Sequence, residues 1–204
     1  MAEEGVQKKF VRKLVRLKHK CIKEKSALIF FDPAHQVHNS NNGNAWQFKG
    51  RKQTKEVKSN TGRRRVNIIG GVNVITMKVT ALVTEDNCDK KTIVAYMKKM
   101  RRHYPKKNKI YMVLDNARYN RSKEVKEMAN SNNIQLVYLP AYCPNLNLIE
   151  RLWKYFKKEV IKNKYYEQFE EFISVIIEFF KNIHQRKDEL ATLLNFKFGI
   201  IKTI

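Results

Sequence analysis

Hydrophobic and polar positions alternate in blocks along the chain, and these blocks predict a sheet. Short apolar runs at 27–31, 110–114 and 134–139 have the length and composition of buried strands. Two segments rich in Val, Ile and Thr, at 66–73 and 78–84, predict a β-hairpin. Together they give five strands, with a long polar loop expected over 33–64.

Apolar residues recur at helical spacing in the segments between and after these strands. Asp89 and Ser122 are the residue types that cap helix N-termini. The order of elements is strand, hairpin, helix, strand, helix, strand, helix and helix, which indicates the α/β class with a mixed five-stranded sheet and flanking helices. The predicted helices cover 90–103, 122–132, 146–162 and 166–185.

The charge of the chain predicts a polyanionic partner. Its 204 residues carry 42 Lys and Arg against 19 Asp and Glu, a formal net charge of +23. Nucleic acid is the favoured partner, and an anionic membrane surface is the alternative. The sequence has neither an apolar run long enough to span a bilayer nor a signal-peptide pattern, so we expect a cytoplasmic location, or a nuclear one in a eukaryotic host. The three cysteines are far apart, which predicts free thiols.

The two ends of the chain are predicted to flank the domain at 27–187. Residues 1–26 form a basic linker or arm, in which Phe10 and Leu14 begin an apolar helical face. This arm would lie on DNA or on the core, and a solvated, frayed terminus is the alternative. Residues 188–204 are a C-terminal tail.

Three acidic residues are candidates for metal chemistry. Asp32 and Asp115 each follow an apolar strand run, and the carboxyl ends of neighbouring strands converge where open α/β sheets bind ligands. Glu150 lies near the start of a predicted helix, although its spacing alone favours an ordinary amphipathic surface helix. Paired carboxylates repel, and a hard cation such as Mg²⁺ or Mn²⁺ reverses that repulsion.

Two longer motifs resemble a known family. The segment DNARYN, which begins at Asp115, and the segment YCPNLNLIERLW, which contains Glu150, look like the second and third acidic motifs of the mariner-like superfamily of DDE transposases, particularly its bacterial insertion-sequence branch. The 34 residues between Asp115 and Glu150 match the spacing of that superfamily, and Phe30-Phe31-Asp32 resembles its first acidic motif. Pro33, Asn120 and Leu148 depart from the usual pattern, and none of these positions is a predicted metal ligand.

The resemblance implies a ribonuclease-H-like catalytic domain at 27–187. Its chemistry would be metal-dependent cleavage of DNA phosphodiester bonds followed by strand transfer, with Asp32, Asp115 and Glu150 as catalytic residues that hold two Mg²⁺ or Mn²⁺ ions. The implied partners are double-stranded DNA, as transposon ends and target, and a second copy in a homodimer on DNA. The family carries N-terminal helix-turn-helix modules for which 1–26 is too short, so we expect a truncated or split reading frame, or an isolated catalytic half.

Other residues are predicted to contact DNA. Trp46 and Tyr142 are candidates for base stacking, with core or loop packing as the alternative, and His35 and His38 either face the site or are solvated. Two other functions stay open: a different ribonuclease-H-like nuclease, and an inactive, basic DNA-binding remnant. The predicted phosphate contacts are Arg63, Arg64, Arg65, Lys154, Lys157 and Lys158.

Overall fold

The structure, a computed structural model, describes residues 3–39, 56–105 and 108–201. The strands are β1 (Ala27–Val37), β2 (Arg65–Asn73), β3 (Val79–Thr84), β4 (Ile110–Leu114) and β5 (Ile134–Tyr138). The helices are α1 (Glu4–Lys23), α2 (Lys90–Arg101), α3 (Lys123–Ser131), α4 (Ile149–Phe156), α5 (Phe169–Asn182) and α6 (Lys187–Leu193). A π-helical turn over Lys157–Ile161 continues α4. Among the described residues, no helix is both long and apolar enough to span a bilayer.

All five strands form one mixed sheet in the order β3-β2-β1-β4-β5. The first three strands form antiparallel pairs, β1 with β2 and β2 with β3. On the other side β1 pairs in parallel with β4, and β4 in parallel with β5. The predicted mixed five-stranded sheet is confirmed, and β1 lies at its centre.

Strand β1 is longer than the sequence predicts. The apolar run ends at Phe31 and a loop was expected from residue 33, yet β1 continues to Val37. Pairing of β1 with β4 stops at the pair Phe30–Val113, whereas pairing with β2 continues as far as Val37–Arg65. Beyond Phe30 the strand is an edge on its β4 side, where Pro33, which lacks an N–H group, is tolerated.

The side chains of β1 alternate between two hydrophobic cores, one on each face of the sheet. Leu28 and Phe30 belong to the larger core, which includes buried residues of α1, α4, α5 and α6. Ile29 and Phe31 belong to the smaller core, which includes buried residues of α2 and α3. Because both faces are covered, the central strand is apolar without alternation until Asp32.

Both predicted helix caps are confirmed. The Asp89 carboxylate accepts a hydrogen bond from the backbone N–H of Thr92, and the Ser122 hydroxyl accepts one from the backbone N–H of Val125. These bonds satisfy N–H groups that have no partner within the first helical turn. They fix the starts of α2 and α3.

Both ends of the chain pack against the larger core. Helix α1 is the predicted amphipathic helix, and its buried Phe10 and Leu14 show that it lies on the core, so the frayed-terminus alternative is wrong. In the predicted tail, α6 buries Leu190, and the guanidinium of Arg151 donates to the backbone carbonyl oxygens of Leu193 and Asn195. The division into arm, domain and tail stays a prediction.

Two adjacent glycines of β2 allow helices to approach both faces of the sheet. A Cβ atom added at Gly70 would lie 2.5 Å from the Trp153 ring of α4, far inside van der Waals contact. A Cβ atom added at Gly71 would collide with the Tyr96 hydroxyl of α2. Because Gly70 pairs with Asp32, the first contact sets the distance of α4 from the centre of β1.

We expect Gly70→Ala to destabilise the protein by about 1–3 kcal/mol, since the added methyl group overpacks a closed contact with Trp153. Gly5→Ala is the matched control, because a Cβ atom there meets nothing within 4 Å. Alanine at this helical position should be neutral or stabilising by up to about 1 kcal/mol. Urea denaturation of both variants checks this, and equal stabilities would contradict it.

Candidate active site

Three predicted acidic residues line one pocket, although they come from three different elements. Its volume is about 430 Å³, and its walls include β1, the segments that follow β4 and β5, and the first turn of α4. The lining residues are Asp32, Asp115, Asn116, Ala117, Leu139, Pro140, Ala141, Tyr142, Cys143, Pro144, Asn147 and Glu150.

The parallel pairing of β1 and β4 explains why the two aspartates meet. Phe30 is in register with Val113, so Asp32 and Asp115 each lie two residues beyond that pair at the same end of the sheet. Asp115 immediately follows β4, whereas Asp32 lies within β1, opposite Gly70. The prediction that Asp32 follows the end of its strand was therefore wrong, while its convergence with Asp115 is confirmed.

A buried asparagine connects the third acidic residue to β1. The Asn147 side chain, 4% exposed, donates a hydrogen bond from Nδ2 to the carbonyl oxygen of Phe31, at 3.3 Å. Asn147 also accepts the backbone N–H of Glu150 on its own carbonyl oxygen. One residue thus joins the backbone beside Asp32 to the turn that carries Glu150. This role is not evident from the sequence, although Asn147 lies inside the third motif.

A second buried asparagine orients Asp115. Asn120, 1% exposed, donates from Nδ2 to Asp115 Oδ1 at 2.6 Å, and the backbone N–H of Ala117 donates to the same oxygen at 3.1 Å. In the sequence, Asn120 stands out only as a departure from the family pattern. Its amide group supplies a neutral donor that fixes one carboxylate oxygen and leaves the other for a ligand.

Asp32 has the most perturbed acid–base behaviour in the site. Burial, which contributes most, the nearby charges of Glu150 and Asp115, and a hydrogen bond with Glu150 together raise its pKa to about 8. Without a cation, Asp32 therefore holds a proton at neutral pH. The proton relieves the repulsion that three carboxylates in one pocket would otherwise produce.

The chemistry of these side chains fits a hard divalent cation. The three acidic groups offer only carboxylate oxygens, which Mg²⁺ and Mn²⁺ prefer. Over residues 3–39, 56–105 and 108–201, no three His, Cys, Asp or Glu side chains are already gathered closely enough to hold a metal ion. A cation would therefore have to displace the proton of Asp32 and draw the carboxyl groups inward.

A cysteine and a tyrosine lie close to the two aspartates. Burial raises the pKa of the Cys88 thiol to about 11, and Asp32 and Asp115 contribute to that rise. Burial also raises the pKa of Tyr119 well above its ordinary value. Both groups are therefore neutral at physiological pH, and Cys88 is not a thiolate ligand there. Cys21, Cys88 and Cys143 are all free, as predicted.

The predicted phosphate contacts occupy different environments. Arg64 forms ion pairs with Glu85 and Glu170, and its guanidinium lies 3.7 Å from the centre of the Phe169 ring. Arg65 donates to the side-chain oxygen of Asn87. These contacts give both arginines structural partners. Exposed side chains without a recorded ion pair among the described residues are Arg63, Lys154, Lys157 and Lys158.

The aromatic and histidine side chains that the sequence singled out also lie in different environments. Tyr142 lines the pocket, is 83% exposed and has a positive φ of 57°, a conformation that most residues avoid. His38 is buried, and its Nε2 lies 2.8 Å from the carbonyl oxygen of Tyr166, while the exposed His35 lies 2.5 Å from Asn67 Oδ1. Trp46 lies outside the described residues.

The raised pKa of Asp32 predicts a stability that depends on pH. Between about pH 4 and about pH 8 the folded protein holds a proton that the unfolded chain releases. The free energy of unfolding without metal should therefore fall as pH rises through this range, by at most about 1.4 kcal/mol per unit. Asp32→Asn should flatten this slope, and the exposed Asp188→Asn should not. Urea denaturation in EDTA measures it, and identical slopes for Asp32→Asn and wild type would contradict the assignment.

Comparisons with known proteins identify the family of this chain. The model of the family described as DDE superfamily endonuclease matches residues 27–173, which is most of the chain. Over 149 residues the chain is 26% identical to the "Insertion element IS630 uncharacterized 39 kDa protein" of Shigella sonnei. That match covers 71% of this chain but only 43% of the relative, so the chain spans less than half of its length.

Solved structures show the same fold at low sequence identity. The Mos1 strand transfer complex matches with a TM-score of 0.63 at 10% identity, covering 98% of this chain and 64% of that one. The Mos1 mariner paired end complex with Mn gives 0.61 at 10% identity, covering 96% and 64%. The catalytic domain of Mos1 mariner transposase gives 0.55 at 9% identity, covering 95% and 94%.

The sheet order and these matches confirm the predicted ribonuclease-H-like fold. The family match spans all three acidic motifs, from β1 to α5. The chain therefore belongs to the DDE superfamily endonuclease family.

Proposed function

We propose that this chain is a transposase catalytic domain that cleaves DNA phosphodiester bonds and transfers the cut strand. The observation that carries the proposal is the convergence of Asp32, Asp115 and Glu150 on one pocket in a member of this family. Solved relatives are described as a strand transfer complex and as a paired end complex with Mn. Transposon ends and target DNA are the substrates that these descriptions suggest for this chain.

The same three residues are proposed to hold two divalent cations, Mg²⁺ or Mn²⁺. When bound, two such ions activate an attacking water or DNA 3′-hydroxyl and stabilise the leaving oxygen. Asp32 releases its proton to become a ligand, and Asn120 keeps one oxygen of Asp115 engaged so that its orientation is fixed. Asn147 holds the α4 turn against β1, which keeps Glu150 beside Asp32.

The surroundings of the pocket suit a DNA strand. Tyr142 lines the pocket, and its side chain is exposed to solvent. Its aromatic ring could therefore stack on a base that is unpaired from the duplex. Lys154 and Lys157 are exposed on α4 and on the turn that continues it, so they are proposed to contact phosphates close to Glu150. We also propose that the chain acts on DNA as a homodimer. A separate helix-turn-helix part would recognise the transposon ends.

Asp115→Asn should abolish cleavage while DNA binding is kept. The change removes a charge from the proposed metal ligands but preserves the side-chain shape. We expect the rate of nicking of a supercoiled plasmid in Mg²⁺ to fall at least 100-fold. A loss of about this size follows when a group that stabilises the charge of the transition state is removed. The Kd for a short duplex should stay within about twofold. Asp188→Asn is the matched control, and wild-type nicking by Asp115→Asn would overturn the assignment.

Binding of Mn²⁺ should release protons. Because the pKa of Asp32 is about 8 without metal, a cation that binds at pH 7 must displace close to one proton per chain. Calorimetric titrations in two buffers of different ionisation enthalpy measure that number. We expect Asp32→Asn to bind Mn²⁺ at least tenfold more weakly and to release almost no protons. Proton release from Asp32→Asn equal to wild type would contradict the proposal.

The substrate distinguishes this function from its alternatives. A transposase domain should join a pre-cut 3′ end to target DNA and leave RNA in an RNA–DNA hybrid intact. Hybrid cleavage without strand joining would indicate another nuclease on the same fold. Tight DNA binding with no detectable Mn²⁺ binding would indicate an inactive remnant.

A further inference from the structure

Helix α1 carries a row of basic residues on the side opposite its buried face. Lys9, Arg12, Lys13 and Arg16 follow the spacing i, i+3, i+4 and i+7, so they share one face of the helix. All four side chains are exposed, and none forms an ion pair with another described residue. They form a strip of four positive charges about 10 Å long.

This basic strip borders a groove that adjoins the catalytic pocket. The groove, about 440 Å³ in volume, is lined by the four basic side chains and by Val6, Phe10 and Pro140. Pro140 also lines the pocket of the three acidic residues, so the two depressions share a wall. No acidic side chain lines the groove, which contrasts with the carboxyl groups next to it.

Partly buried hydrogen bonds hold α1 in place relative to the turn that precedes α4. Gln7, 1% exposed, accepts from Asn145 Nδ2 at 3.1 Å and donates from Nε2 to the carbonyl oxygen of Ile201 at 2.9 Å. Asn145 lies in the 3₁₀ turn Pro144–Leu146, which leads to Asn147 and the start of α4. The basic strip therefore has a fixed position with respect to the turn that carries Glu150.

From these observations we infer that the basic strip of α1 binds phosphates of duplex DNA next to the catalytic pocket. This inference rests on the proposed function for the identity of the polyanion. A strip of about 10 Å faces roughly three phosphates of one strand, at about 3.4 Å per base pair along the axis. A lipid surface fits less well, because an interfacial helix inserts its apolar face, and in α1 that face is buried in the core.

The test compares two double variants that remove the same charge. Arg12→Gln/Arg16→Gln neutralises the strip, and Lys98→Gln/Arg102→Gln neutralises two exposed cations of equal spacing at α2 that line neither depression. Fluorescence anisotropy with a labelled duplex gives Kd between 0.05 and 0.3 M salt. We expect the strip variant to reduce the log–log salt slope by about 1.8 and to raise Kd at about 0.1 M salt by roughly 10- to 100-fold. The control should change both quantities much less.

Further measurements separate this inference from the proposed function. Arg12→Lys/Arg16→Lys should bind nearly as wild type, and thermal melts should show that all variants fold. In plasmid nicking, the strip variant should raise KM with kcat largely unchanged, unlike Asp115→Asn. If the strip variant weakens DNA binding but wild type never cleaves, the inference stands and the function fails. Equal salt slopes for the strip variant and its control, or a loss of binding only to anionic vesicles, would overturn the inference.

Discussion

Repulsion among three carboxyl groups in one partly buried pocket is the constraint on which the rest of this structure depends. The sheet brings Asp32 and Asp115 together just beyond the last paired residues of β1 and β4, and α4 adds Glu150. Without a cation, the assembly persists because Asp32 keeps its proton at neutral pH, with a pKa of about 8. The fold thus tolerates a cluster that is electrostatically unfavourable, as expected where function rather than stability selects the residues.

Contacts made by uncharged residues hold the acidic residues in place despite that repulsion. Gly70 lets Trp153 approach β2 closely, and the Asn147 amide group connects the α4 turn to the carbonyl of Phe31. Asn120 orients Asp115 in the same way. Each contact uses a small or uncharged group, so it fixes geometry without adding charge to the pocket. A bound cation would therefore meet acidic side chains whose backbone positions are already set.

Sequence patterns predicted the five strands and both helix caps, and they singled out the three acidic residues that line the pocket, because apolar runs and motif spacing are local features. They did not predict that β1 extends to Val37, since that extension depends on pairing with β2. They also did not reveal the roles of Asn147 and Gly70, which come from contacts with residues 116 and 83 positions away. The ion pairs of Arg64 with Glu85 and Glu170 were not predicted either, because both glutamates are distant in sequence, and its contact with DNA stays a prediction.

The excess positive charge and the acidic pocket fit the proposed function together, since exposed basic side chains would attract DNA and the partly buried carboxyl groups would bind metal ions. The most direct test of this account is anomalous diffraction from crystals soaked in Mn²⁺. We predict Mn²⁺ peaks in the pocket, in contact with carboxylate oxygens of Asp32, Asp115 and Glu150. A saturating soak that leaves this pocket without Mn²⁺, or that places the ion away from these three side chains, would contradict it.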